Sequence, residues 1–291
     1  MVVALGLAAL ALAAAGCSRV SDTPAPAADG PAAHIVATAD FGADQLLTER
    51  VSPGGTVLDG LRSVTAVETA YGGGFVASML GRGTETAPAA DWFFYVNGIE
   101  SPVGASAVTL SDGDVAWWDH HRWQGAMSIR GVVGSWPEPF VHGASAVQAD
   151  APLAAPLRAA GAAVVTGTPA FRVLVGTDAT LSARNATWRS IAGDPGGHHL
   201  AGGIANGAVV LIPAGGGAPV AVAGASAVAV LVPVGSRPAD GAVFAVAGLT
   251  AAAAQSAAAT IARDPAVLAQ RFAVAFDAAG VPVQSAGRAE A

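Results

Sequence analysis

Residues Asp91–Trp123, DWFFYVNGIESPVGASAVTLSDGDVAWWDHHRW, decide the fold of this 291-residue chain. They hold four of its six tryptophans (Trp92, Trp117, Trp118 and Trp123) and one of its two tyrosines, Tyr95. Aromatic side chains dominate the energetics of cores and interfaces. A chain that is only 6% aromatic has therefore concentrated its most specific contacts in this stretch. Trp92 to Val96 reads as a strand. Asn97-Gly98 is a two-residue hairpin turn, because both residues tolerate positive φ, and Ile99 to Val103 returns. Ser111-Asp112-Gly113-Asp114 forms a second turn before a third strand, Val115 to Asp119. Alternation puts Trp92, Phe94 and Val96 on one face and Phe93, Tyr95 and Asn97 on the other. Large rings on both faces leave two readings. Either the sheet is buried on both sides, by its own helix and by a following domain, or one face stays open as a binding surface.

Upstream, His34 to Phe41 and Gln45 to Val51 read as strands. Thr56 then caps a helix in which Val57, Leu58, Leu61 and Val64 recur at helical spacing. Val67 to Tyr71 and Phe75 to Leu80 follow as strands around Gly72-Gly73-Gly74. The predicted order is strand, strand, helix and then several strands, a β-grasp in which a mixed sheet wraps one helix.

The runs TVLDGLRSV, VETAYGGGFVASMLG, DWFFYVNGIESPVGA and LSDGDVAWWDHHRW resemble the transcobalamin-like C-terminal domain family over residues 34–123. The resemblance implies a β-grasp module and makes a corrinoid such as cobalamin the candidate ligand. It suggests Tyr71, Gly73, Phe75, Trp92, Tyr95, Asn97, Trp118 and His120 as ligand-binding residues, with His121 beside them. Aromatics suit a flat ring and its rim. Glycine turns admit close backbone approach, and imidazole can coordinate a metal. Each residue also has a plainer explanation: a bend around the glycines, turn chemistry at Asn97, strand-end histidines. No third ligand sits at zinc spacing, so no resident metal or other cofactor is expected.

At the N-terminus, Val2 to Ala15 is an apolar run too short to span a bilayer. It ends in Ala14-Ala15-Gly16-Cys17, which resembles a bacterial lipobox and makes the single cysteine, Cys17, the lipidation site. Residues 1–17 thus read as a lipoprotein signal peptide and 18–33, rich in Pro, Ala, Ser and Asp, as a flexible tether. These features imply lipid anchoring at the extracytoplasmic face of the cell membrane. The chain is 53% hydrophobic and 12% charged, enough to build sizeable cores. Its net charge of -7 lacks the basic footprint that nucleic acid requires.

Residues 124–150 read as a linker containing a strand, Met127 to Val133, and two prolines around Glu138. Residues 151–291 alternate apolar strands with Ala-rich helices. Predicted strands include Phe171 to Val175, Ala225 to Val232 and Ala242 to Ala247, and predicted helices include Leu181 to Ile191 and Ala251 to Arg263. That pattern predicts a three-layer α/β domain, and the whole chain is expected to be α+β. Gly176-Thr177-Asp178 fits either a crevice ligand or a helix cap. Nothing assembles a nucleophile with its base, so no enzyme is expected. The leading expectation is a ligand-binding lipoprotein that passes a corrinoid or similar micronutrient to an uptake transporter. The rival is a cell-surface structural module that docks a partner protein through its aromatic sheet.

Overall fold

The computed structural model describes residues 30–124, 127–235 and 237–287. The expected signal peptide, its Cys17 and most of the expected tether lie outside the described residues. The chain is a mixed α/β molecule, with four sheets and five short α-helices among the described residues.

Strands β1 (Ala33–Ala39) and β2 (Asp44–Val51) form an antiparallel pair. Helix α1 (Val57–Val64) follows. Thr56 caps it reciprocally: its hydroxyl accepts the Asp59 N–H at 3.1 Å, and Asp59 Oδ2 accepts the Thr56 N–H at 3.0 Å. Strands β3 (Val67–Ala70), β4 (Phe75–Met79) and β5 (Arg82–Gly83) make a small sheet of their own. Strands β6 (Glu85–Thr86), β7 (Ala89–Val96), β8 (Ile99–Glu100) and β9 (Val115–Arg122) then complete the main N-terminal sheet, ordered β2-β1-β9-β7-β6 with β8 on β7. Its central pair, β1 and β9, runs parallel. The predicted return strand Ile99 to Val103 is shorter than expected. After Glu100 the chain leaves the ladder through Pro102, which has no N–H to donate.

One face of this sheet, with Ile35, Ala37, Trp92 and Trp118, packs on Val57, Leu58 and Leu61 of α1 and on Val76 and Met79 of the small sheet. The opposite face meets the C-terminal half. Its strands are β10 (Val147–Ala149), β11 (Phe171–Thr177), β12 (Gly202–Ala205), β13 (Ala208–Leu211), β14 (Val220–Ala221), β15 (Ala227–Pro233), β16 (Ala242–Gly248), β17 (Val274–Phe276) and β18 (Pro282–Ser285). Six of these form a mixed sheet ordered β10-β11-β16-β15-β17-β18, while β12, β13 and β14 form a small antiparallel sheet.

Alternation divides the larger sheet between two cores. Val173, Val175, Ala229 and Val246 face helix α5 (Ala251–Arg263), whose Ala253, Ala254, Ala257 and Ala258 are all buried. Helix α2 (Ala154–Ala159) adds Leu157 to this core. Leu174, Val228, Val230 and Ala245 face the other way, toward helices α3 (Asp178–Arg184) and α4 (Ala186–Ile191). The expected single helix from Leu181 to Ile191 is broken at Asn185, whose side chain leaves the helix to cap α4 by accepting the Trp188 N–H at 2.7 Å.

That second face is not covered by helices alone. Tyr95, Trp117 and Phe41 of the N-terminal half join the same core, so the two halves share one buried cluster. Phe272 is the wedge, with ring centroids 5.1 Å from Trp117, 5.5 Å from Tyr95 and 5.6 Å from Phe41. The described part of residues 124–150, read as a linker, is packed as well: Ile129, Val132, Val133 and Phe140 are buried. The strand predicted at Met127 to Val133 reduces to a bridge between Gly131 and Ile99. Gly98 fits beside this segment because a Cβ there would lie 2.7 Å from the Val132 carbonyl oxygen.

Phe272→Ala should therefore cost roughly 3–5 kcal/mol, the usual range for emptying a buried phenylalanine site. Urea unfolding followed by tryptophan fluorescence measures it. A loss below about 1 kcal/mol would mean that the seam does not depend on this ring.

Candidate functional site

Strands β7 and β9 set the geometry. Their antiparallel register pairs Trp92 with His120, Phe93 with Asp119, Phe94 with Trp118 and Tyr95 with Trp117. The turn that joins β7 to β8 uses Asn97 at φ 52° and Gly98 at φ 81°, as its residue types require. The Asn97 amide donates to Asp114 at 2.7 Å and accepts the Val115 N–H at 2.9 Å, which locks the hairpin to the start of β9.

The seam face of this hairpin is polar at one end and largely enclosed, with Phe93 partly buried at its edge. Asp119 accepts four hydrogen bonds: from Thr38 Oγ1 at 2.5 Å, the Phe41 N–H at 3.0 Å, the Gly42 N–H at 2.9 Å and His121 Nδ1 at 2.8 Å. Thr38 Oγ1 in turn accepts the Trp117 indole N–H at 2.7 Å. The His121 ring is stacked between Phe93 and Phe41, at 4.4 and 4.5 Å. Its Nε2 and the Tyr95 hydroxyl are buried without a protein partner. Burial, followed by the nearby Glu100 and Asp119 charges, pushes the Tyr95 phenol well above its ordinary value.

The helix-side face opens to the surface beside β4. An apolar cleft of about 270 Å³ lies between Gly74–Val76 and the Ser101–Gly104 loop, floored by Trp92, Phe94 and Trp118. Phe94 and Trp118 stack at 4.7 Å and present a flat floor. Gly104 lets the two loops close, because a Cβ there would strike the Gly74 carbonyl. Val103 stands half exposed on the rim. Next to the cleft, Tyr71 projects into solvent at 90% exposure, with φ at 50°. A bulky residue in the left-handed region is strained, and such strain gathers at ligand clamps and switch regions. Gly72 and Gly73 continue at φ 71° and 93°. Beyond this bend is a polar cleft of about 550 Å³ lined by Thr56, Asp59, Arg62 and Thr69.

The predicted site residues therefore do not converge on one platform. Phe75, Trp92 and Trp118 line the apolar cleft, whereas Tyr71 and Gly73 line the polar one. Tyr95 lies on the opposite face at 0% exposure, under Phe272, and offers no open surface. Asn97 is committed to its turn. His120 is buried, with Nε2 2.9 Å from the Gly83 carbonyl and its ring edge-on to Trp92. Trp118 is only 2% exposed, so it contributes the floor of a cleft rather than a free face. Among the described residues, no group of three or more His, Cys, Asp or Glu side chains could hold a metal ion. Thr177 caps α3 by accepting the Thr180 N–H at 3.2 Å, and Asp178 accepts the Trp188 indole N–H at 2.8 Å, so this pair serves local structure.

Sequence reasoning missed Phe94, Val103 and Glu100. The first was assigned by alternation to a face and not to an opening, and the others depend on how the chain leaves β8. Glu100 borders the apolar cleft and a second one beside it. Burial holds its carboxyl above the ordinary value of 4.5, against the Ser128 hydroxyl bond and the charges of His121, His199 and Arg130. A carboxyl raised in the folded state stabilises fully below its unfolded value and loses that contribution as pH rises through the folded one. Glu100→Gln, which can still accept from Ser128, should gain stability relative to the native chain as pH rises from about 4 to 7. Urea midpoints across that range test this; a pH-independent difference would contradict it.

Residues 54–122, about a quarter of the chain, match the model of a domain of unknown function (DUF4430). No curated protein matches the chain. A crystal structure from Ruminococcus gnavus ATCC 29149, described as a "putative metal binding protein", aligns over 31% of this chain and 96% of its own, at 16% identity and a TM-score of 0.26.

Proposed function

We propose that this protein is a membrane-tethered binding protein that holds the flat, apolar part of a small ligand in the cleft between Phe75 and Val103. The observation that carries this reading is the stacked Phe94–Trp118 pair, exposed only at the bottom of a cleft whose two walls are glycine-bearing loops. Ligand sites are concave, mostly apolar and largely pre-formed, and this opening has those properties. The mixed sheet with a parallel central pair, wrapped on α1, supports a β-grasp module over residues 34–123. Helices on one face of the C-terminal sheet, and helices with a second sheet on the other, support a three-layer α/β unit.

The matched domain model falls within the stretch that resembles the transcobalamin-like family, and that resemblance supplies a corrinoid as the first ligand to try. A cleft of about 270 Å³ takes one edge of such a ring and leaves the remainder over Tyr71 and the polar cleft beside it. The lipobox-like segment supports anchoring through Cys17 at the extracytoplasmic face, where a bound micronutrient would pass to an uptake transporter. No catalytic role is proposed. A second reading, docking of a partner protein, is favoured by Tyr71, which has the exposure of an interface anchor and no role in the core.

Titration with cobalamin and cobinamide, by absorbance and calorimetry, tests the first reading. Phe75→Ala should weaken binding about thirtyfold, the effect of losing roughly 2 kcal/mol, with little change in melting temperature. Trp118→Ala should instead destabilise the fold by about 3–5 kcal/mol. Absence of heat and of a spectral shift up to about millimolar ligand, where binding would be worth only about 4 kcal/mol, removes corrinoids. Anchoring is tested separately: Cys17→Ser should release the protein from the membrane fraction, and a variant that stays attached removes the lipid anchor.

A further inference from the structure

A second cleft, of about 330 Å³, shares Glu100, Ser101 and Pro102 with the apolar cleft and lies at the seam between the two halves of the chain. Its other walls come from Ser128 and Arg130 of the connecting segment and from Pro233 and Gly235 beyond β15. Ser128 and Arg130 lie outside residues 54–122, so the cleft is assembled by this chain's own connection between halves.

Two opposite charges face it without pairing. The bridge between Ile99 and Gly131, with the Glu100 N–H donating to the Arg130 carbonyl at 3.0 Å, sets Glu100 directly across from Arg130 on the same face. Cross-strand neighbours of opposite charge ordinarily meet. Here the guanidinium turns away and donates Nη2 to the Gly235 carbonyl at 3.0 Å. The Glu100 carboxylate accepts the Ser128 hydroxyl on Oε2 at 2.5 Å. Among the described residues, no hydrogen bond is donated to Oε1. Arg130 makes one of the five N–H bonds that a guanidinium can donate. A half-buried carboxylate and a guanidinium held apart across one cleft offer an acceptor and a donor side by side, where water is partly excluded. Burial raises the carboxyl above its ordinary range, against the Arg130 charge, and such perturbed groups cluster at binding sites.

We infer that this seam cleft is the polar end of the ligand site and takes a carboxamide, whose N–H donates to Glu100 Oε1 and whose carbonyl accepts from Arg130. A carboxamide presents a donor and an acceptor on neighbouring atoms and carries no net charge, so it satisfies both side chains and leaves no charge unpaired. The ligand then has a flat apolar part for the Phe94–Trp118 floor and an amide arm that crosses Pro102 into the seam. This inference rests on the ligand-binding reading given above.

The test uses the full chain and four probes, toluene, benzamide, benzylamine and benzoate, titrated by protein NMR. Benzamide should bind about tenfold more tightly than toluene, the gain expected from hydrogen bonds to charged groups. Glu100→Gln and Arg130→Met should each remove most of that advantage by weakening benzamide far more than toluene, and Phe75→Ala should weaken both probes alike. Glu100→Gln keeps the Ser128 bond and removes a buried charge, so it is expected to fold; circular dichroism checks it. Benzamide binding no better than toluene, or keeping its advantage in both variants, overturns the amide site and leaves the apolar cleft standing. Tighter binding of benzylamine or benzoate than of benzamide overturns it in favour of a charged ligand. Failure of all four probes overturns the amide site and the apolar cleft together.

Discussion

The enclosed Asp119 carboxylate is the constraint on which the rest of the arrangement depends. A buried charge is tolerated only when its hydrogen-bonding capacity is filled. Asp119 meets that requirement with donors from three places: a side chain on β1, two backbone amides in the β1–β2 turn and an imidazole on its own strand. The carboxylate therefore fixes the register of β1 against β9 and the path of the turn at Phe41. That turn brings the Phe41 ring over His121 and against Phe272, and so decides where the C-terminal half can dock. Charge satisfaction on one strand is thereby converted into apolar packing between halves of the chain.

The two faces of the aromatic sheet have different fates. The seam face combines the satisfied Asp119 carboxylate with large rings and is covered by the C-terminal half. The helix-side face is mostly apolar, although His120 and the unpartnered Trp118 indole N–H lie on it. The opening lies beside Phe94 and Trp118, whereas Tyr95 is covered. The glycines at 74 and 104 set its width by allowing two backbones to touch.

Much of the N-terminal fold was legible. The alternation in Trp92 to Val96, the Asn97-Gly98 turn and the Thr56 cap are local signals, and each is found where it was read. Helix α5 was legible as well, as an alanine-rich run from Ala251 to Arg263. The site was less so. Tyr95 and Trp118 lie on opposite faces of the pleat, and only the docking of Phe272 shows which of those faces is the seam and which carries the cleft. Residues 124–150 looked like a linker because Pro137 and Pro139 forbid regular structure around Glu138. Their buried side chains, Ile129, Val132, Val133 and Phe140, are held by two separate cores instead of by a ladder. Glu100 carried no signal at all, since its significance comes from Arg130 and Gly235, which the fold brings to it from elsewhere in the chain.

Phe272 has one more consequence, in the order of events as the chain is made. It closes a sheet whose strands lie between Ala33 and Arg122, so the covering ring is added to a growing chain long after the whole of that sheet has been made. Contacts of such sequence separation form late, because a long stretch of chain must be ordered before they are gained. Until then Phe41, Tyr95 and Trp117 stay uncovered on a sheet that is otherwise complete. Transient apolar surface of this kind is where a folding chain meets chaperones or aggregates. The segment around Phe272 is thus what ends the sticky phase of the N-terminal part, and a synthesis stopped short of residue 272 would leave that phase permanent.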